Sequence, residues 1–144
     1  MDFFTAMEVS ASGLATQRTR MNVASSNLAN VNTTSPDGEG YRRLDVVVRS
    51  QRLSGSIAGH KAGSFSNSVR SAGVAEIVED QEPLQMDYDP GHPDANEEGY
   101  VAYPNVNAIE EMVDMITASR AYEAGITALG TAVSMAERAL GIGK

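Results

Sequence analysis

The sequence predicts an α+β fold: two long terminal amphipathic helices packed side by side in coiled-coil fashion, with a small antiparallel β region and a flexible loop between them. Three observations predict it. An apolar stripe with a seven-residue repeat runs through each end of the chain, the apolar period becomes strand-like after Gly40, and turn-forming Ser, Gly, Asn and Pro punctuate the middle. The chain divides accordingly into an N-terminal helix segment (1–34), a β region (35–104) and a C-terminal helix segment (105–144).

The first helix is expected over about 4–29. Met7, Leu14, Met21 and Leu28 recur every seven residues and align with Phe4, Ala11 and Arg18 on one side. Small residues (Ala11, Ser12, Gly13, Ala15, Ser25, Ser26) are frequent, which permits close helix packing but supplies little apolar area per turn. Such a helix is marginal alone in water and is ordered by packing against something else. Asn27, Asn30, Asn32 and Thr33 end it, with short polar side chains suited to free backbone groups.

Four strands are expected in the middle. Tyr41, Leu44 and the run Val46, Val47, Val48 mark one over 41–48; the others are 74–78, 84–88 and 99–103. The stretch 50–71 turns to Ser, Gly, Ala, Gln and Lys and reads as a mobile loop with one short strand near Phe65. A second loop, 89–99, is acidic and carries Pro90 and Pro93. The sheet is expected to project from one end of the helix pair.

The last helix is expected over 107–140. Met112, Met115, Ser119, Tyr122, Ile126, Leu129, Val133, Ala136 and Leu140 alternate steps of three and four, and Ile109, Val113 and Ile116 broaden the face at its start. Asn105 or Asn107 caps the start; Glu110, Glu111 and Asp114 near it and Arg138 near the end suit the helix dipole. Gly125 and Gly130 each weaken the helix by roughly 1 kcal/mol. They read as places where another backbone comes close, or as plain surface glycines.

The length suits one domain with a modest core. A formal net charge of −8 argues against a general nucleic-acid binder. With no cysteine, there is no disulfide, thiol nucleophile or cysteine metal site. No apolar run approaches the roughly 20 residues of a membrane span. Asp2 and Glu8 stand where a cleaved leader carries lysine or arginine, so any export is expected to proceed without leader cleavage.

Nothing in the sequence reads as an active site, a cofactor site or a small-molecule site. His60 lies in the Ser/Gly stretch with no carboxylate near it in sequence. Asp87, Asp89, His92, Asp94, Glu97 and Glu98 have the oxygen donors of a divalent-cation site but not the spacing of a calcium loop, and a solvated turn is the simpler reading. No GxxxxGK[ST] loop is present, and Ser10, Ser12 and Ser26 have no histidine partner in the helix pattern.

The two stripes carry what remains, and two readings stand. They form the core of a monomer, or they are assembly surfaces that meet helices of other subunits. On the second reading the interface is Met7, Leu14, Arg18, Met21 and Leu28 from the first helix. Met112, Met115, Arg120, Tyr122, Ile126, Leu129, Val133 and Leu140 come from the last. Arg18, Arg20, Arg120 and Glu123 interrupt or flank the stripes, where ion pairs set register more than stability.

The chain resembles the bacterial flagellar basal-body rod proteins, most closely the proximal rod branch. The N-terminal match is Ser12-Gly13-Leu14-Ala15-Thr16-Gln17-Arg18, Arg20-Met21-Asn22-Val23 and Asn27-Leu28-Ala29-Asn30-Val31-Asn32-Thr33-Thr34. The C-terminal match is Pro104-Asn105-Val106-Asn107, Glu110-Glu111-Met112-Val113-Asp114-Met115, Ala118-Ser119-Arg120-Ala121-Tyr122-Glu123 and Met135-Ala136. Tyr88-Asp89-Pro90-Gly91-His92-Pro93-Asp94-Ala95 and Gly99-Tyr100-Val101 point to the branch.

The resemblance implies a structural subunit, exported unfolded through the flagellar type III apparatus. It implies polymerisation through the terminal helices into a tubular rod across the periplasmic space, transmitting torque from rotor to hook. Implied partners are other rod subunits, copies of the chain itself, and the export gate and adaptor proteins at the rod base. The alternatives are another rod or hook-junction subunit and a free-standing helical adaptor or export chaperone.

Overall fold

The computed structural model describes residues 3–35, 40–52 and 69–141. In chain order these form α1 (Phe3–Ala29), β1 (Leu44–Arg52), β2 (Arg70–Glu79), β3 (Gln85–Tyr88), β4 (Tyr100–Tyr103) and α2 (Ala108–Gly141). The expected strand near Phe65 lies outside the described residues.

The two helices run antiparallel in contact. Asn27, near the end of α1, bonds Glu111 near the start of α2, and Leu14 meets Gly125 further along both. Serine and threonine fit inside α1 because their hydroxyls donate back to the preceding turn: Ser10 to the Ala6 carbonyl, Thr16 to Ser12 and Thr19 to Ala15. Asn30 closes the helix, its amide side chain donating to the Ser26 carbonyl at 2.8 Å and Thr33 donating to its Oδ1. Of the two candidate caps for α2, Asn107 takes the part, its Oδ1 accepting from Ile109 N at 3.0 Å. Asn105 instead ties the loops together, accepting from Arg43 N and donating to the Glu82 carbonyl.

Among the described residues the β region forms two separate antiparallel ladders, β1–β2 and β3–β4, rather than one sheet. The corner between β2 and β3 turns sharply, with Asp80 Oδ1 accepting from Glu82 N just before Pro83. The first ladder extends well beyond the valine run. It pairs Leu44 with Glu79 at one end and Arg52 with Arg70 at the other, with a bulge after Val47 that leaves Ala75 unpaired. Ladder hydrogen bonds use backbone alone, so pairing carries both strands into polar sequence where side-chain pattern is silent.

Only the second ladder stands at one end of the helix pair. β1–β2 lies along α1 instead, with Val46 and Val48 sharing a cleft with Val23 and Ala24. Alternate residues of a strand give it one apolar side, and α1 is the surface that covers it.

A polar anchor and two uncovered helix faces

The closed end of the helix pair is held by a buried polar group. Asn27 is 1% exposed and makes four hydrogen bonds. Its Nδ2 donates to the Leu44 carbonyl at 2.9 Å and to Glu111 Oε2 at 3.1 Å. Its Oδ1 accepts from Leu44 N at 2.9 Å and from Tyr41 OH at 2.8 Å. One side chain thereby joins α1, the entry to β1 and α2, with its donors and acceptors all used.

Glu111 is 2% exposed. Its second oxygen accepts from Arg43 Nε at 2.6 Å, and Asp80 stands 3.8 Å from the same guanidinium. The Glu111 hydrogen bond holds Arg43 above the ordinary arginine pKa, aided by the nearby carboxylates and opposed by desolvation. Arg43 N and O are also engaged, by Asn105 and by Asp80 N. A buried ion pair with all its hydrogen bonds made is a device for setting geometry more than for adding stability. Here it sets how the β1–β2 ladder sits on the helices. Asn27 and Glu111 both lie within runs that carry the rod-protein resemblance, yet periodicity alone did not single them out, because their partners lie 84 and 68 residues away.

The helix seam is one residue out of phase with the largest apolar row. On α2 the buried positions are Glu111 and Ala118, with Gly125 continuing the seven-residue spacing against Leu14. A Cβ on Gly125 would stand 2.8 Å from Leu14 Cδ2, so the close approach there is by a side chain and not a backbone; Gly130 has open space around it. On α1 the buried positions are Thr16, Val23, Ala24 and Asn27. Small residues let the helices come close, and larger ones are displaced to the flanks.

The thirteen stripe residues accordingly divide. Met7, Leu14, Met21 and Leu28 on α1, and Met115, Tyr122, Leu129 and Val133 on α2, are half-buried along the seam. Met112, Ile126 and Leu140 face outward, Leu140 at 79% exposure, and Arg18 and Arg120 are exposed. Ile109, Val113 and Ile116 join Met112 in an apolar patch at the start of α2, and Phe4 and Met135 are likewise uncovered. Between the helices Arg18, Met21, Met115, Ile116 and Tyr122 line an open groove of about 590 Å3. Of the four flanking charges, Arg20 crosses to the other helix, standing 3.8 Å from Asp114. One face of the stripes therefore buries the helices against each other, and another remains uncovered.

The β3–β4 end is self-contained. Asn96 Oδ1 accepts from Glu98 N and Tyr100 N, Asp89 Oδ1 from Gly91 N, and His92 Nδ1 from Asp94 N. Thr34 donates to Asp94, fastening the loop to the chain beyond α1. Among the described residues no group of three or more His, Asp or Glu is gathered as a metal site, and no helix is long and apolar enough to cross a membrane.

Both ends of this arrangement match models of known families. Residues 7–36 match the flagella basal body rod protein model, and residues 97–142 match the C-terminal model of the flagellar basal body rod FlgEFG proteins. Over its whole length the chain is 43% identical to the flagellar basal-body rod protein FlgC of Bacillus subtilis, which it also covers completely. The FlgC protein of Borreliella burgdorferi is 43% identical over 99% of this chain and 98% of its own, and that of Salmonella typhimurium is 38% identical over the full length of both. The chain belongs to the FlgC family of flagellar basal-body rod proteins. As a FlgC-family member it is a structural subunit of the rod and not an enzyme, it resides in the flagellar basal body, and it interacts with other rod subunits. The polar anchor and the uncovered faces are accordingly features of a building block.

Proposed function

We propose that this subunit polymerises through the outer faces of its paired terminal helices into the tubular drive shaft of the proximal rod, crossing the periplasmic space and transmitting torque from rotor to hook. The observation that carries this reading is the row of large apolar side chains left outside the helix pair: Ile109 at 73% exposure with Met112, Val113 and Ile116 on one stretch of α2, and Ile126 and Leu140 beyond. Contiguous apolar surface of this kind marks a protein contact. The interface assigned to these faces comprises Met7, Leu14, Arg18, Met21, Leu28, Met112, Met115, Arg120, Tyr122, Ile126, Leu129, Val133 and Leu140, of which the half-buried members brace the outward ones.

Export unfolded through the flagellar type III apparatus, without leader cleavage, suits the same design. A seam built on Ala118, Gly125 and Thr16 buries little apolar area per turn, so the pair is readily opened. The first contacts after export are then with the export gate and adaptor proteins at the rod base.

Hydrogen exchange on the isolated chain and on the same chain in purified basal bodies tests the reading. The turns of α2 around Ile109 and Ile126 are expected to gain strong protection on assembly. Equal protection in both states would remove the outer faces from the interface.

A further inference from the structure

The chain separates its charges along its length in the fold. Between residues 71 and 119 it carries twelve acidic residues and no lysine or arginine. That stretch includes the whole of the β3–β4 end, which stands beyond the C-terminal end of α1: Ala102 and Leu84 flank Gly40, and Thr34 bonds Asp94. Its open face carries Met86, Tyr88 and Tyr100, all exposed, with the two tyrosine rings in edge-to-face contact at 5.3 Å. Asp89 directly follows Tyr88, Glu97 and Glu98 closely precede Tyr100, and among the described residues none of the three is in an ion pair.

The basic counterpart lies at the opposite end. β1 leaves Asn27 at Leu44 and runs back along α1, with Val48 reaching the level of Arg20. The eight further residues of β1 after Leu44 span roughly 25 Å. At that distal end Arg49 and Arg70 are exposed, and neither pairs with a carboxylate among the described residues. Arg49 and Arg70 lie on opposite faces of the ribbon, so its distal end is cationic on both sides.

We propose that the Tyr88–Tyr100 face of one copy receives the arginine-bearing distal end of the β1–β2 ladder of a second copy. Guanidinium groups stack on tyrosine faces and take carboxylates in bidentate pairs, which is the chemistry this face offers. The two surfaces differ and sit at opposite ends of one subunit, so the contact is heterologous and propagates head to tail, the geometry that generates an open helical assembly. Complementary charge then selects partner and register in a contact of modest apolar area. The proposal rests on the reading of the chain as a rod subunit and adds to it a contact made by the β ladders, separate from the helix faces.

The absence of cysteine from the sequence makes the test clean. A chain carrying Arg49→Cys and Glu98→Cys, expressed in place of the unsubstituted one, is treated in purified basal bodies with a short bis-maleimide. Dimers and higher multimers of the chain are expected, and each single variant should give no multimers. Monomer alone, from basal bodies holding the variant in normal amount, overturns the contact, as does cross-linking to a different basal-body protein in place of a second copy. If the double-cysteine chain does not enter basal bodies, charge exchange decides. Arg49→Glu with Arg70→Glu, and Asp89→Arg with Glu98→Arg, should each cut incorporation at least tenfold, and combining them should restore it. Failure of the combination to restore incorporation overturns the contact. Absence of the unsubstituted chain from basal bodies would overturn the rod reading and the contact with it.

Discussion

Asn27 Nδ2 donates to Glu111 Oε2 across 3.1 Å, joining two side chains that are each almost wholly buried and lie on different helices. Replacing Asn27 by leucine leaves Glu111 Oε2, Tyr41 OH and both backbone groups of Leu44 without this partner. Unfolding by urea should show a loss of about 2–4 kcal/mol, the cost of several unsatisfied buried groups partly rescued by water. A loss below about 0.5 kcal/mol would mean that the site is not closed to solvent.

The Arg43–Glu111 pair should behave as a unit. Glu111→Met alone takes from Arg43 its nearest carboxylate but leaves Asp80 at 3.8 Å, and should cost about 1–3 kcal/mol, whereas Arg43→Met alone leaves the Glu111 carboxylate buried and should cost about 3–5 kcal/mol. The double substitution is expected to cost clearly less than the two singles combined, because no unpaired charge remains. A double-mutant cycle in urea measures the difference, and simple additivity would refute the coupling.

The same pair gives a pH prediction. Arg43 is raised above its ordinary pKa by Glu111, so its contribution is fully present below the unfolded arginine value and is lost only as pH rises through the still higher folded one. Comparing the pH profiles of the native and Arg43→Met chains between pH 7 and 10 isolates this contribution, and the difference between the two midpoints should be constant across that range.

The two helix glycines should respond oppositely. Gly130→Ala meets no neighbour within 4 Å and should stabilise the isolated chain by roughly 0.5–1 kcal/mol through helix propensity. Gly125→Val places atoms on Leu14 and should destabilise by about 1–3 kcal/mol. Thermal denaturation of the two variants side by side checks the contrast.

Gly99 adopts φ of 81°, and a Cβ there would stand 3.0 Å from Tyr88 Cε2. Gly99→Ala is expected to cost about 1–2 kcal/mol and to shift the Tyr88 and Tyr100 ring resonances in NMR spectra. Unshifted rings would show that the turn absorbs the methyl group without moving them.

By itself the sequence determined the elements. Seven-residue spacing of Met7, Leu14, Met21 and Leu28, and of Met115, Tyr122 and Leu129, marks long helices wherever they pack, because the period is a property of the backbone. The change of period after Gly40 marked the strands, and the terminal motifs marked the family.

Tertiary structure alone decided which side of each helix turns inward. Two neighbouring rows share the same period, and their phase was settled by size: Ala118 and Gly125 admit close approach to α1, while Met112 and Ile126 do not and stay outside. It also decided that the strands form two ladders and that one of them lies along α1. The physical reason is distance along the chain. Glu111 meets Arg43 and Asn27 from 68 and 84 residues away, and no local pattern encodes which buried charge will find which partner.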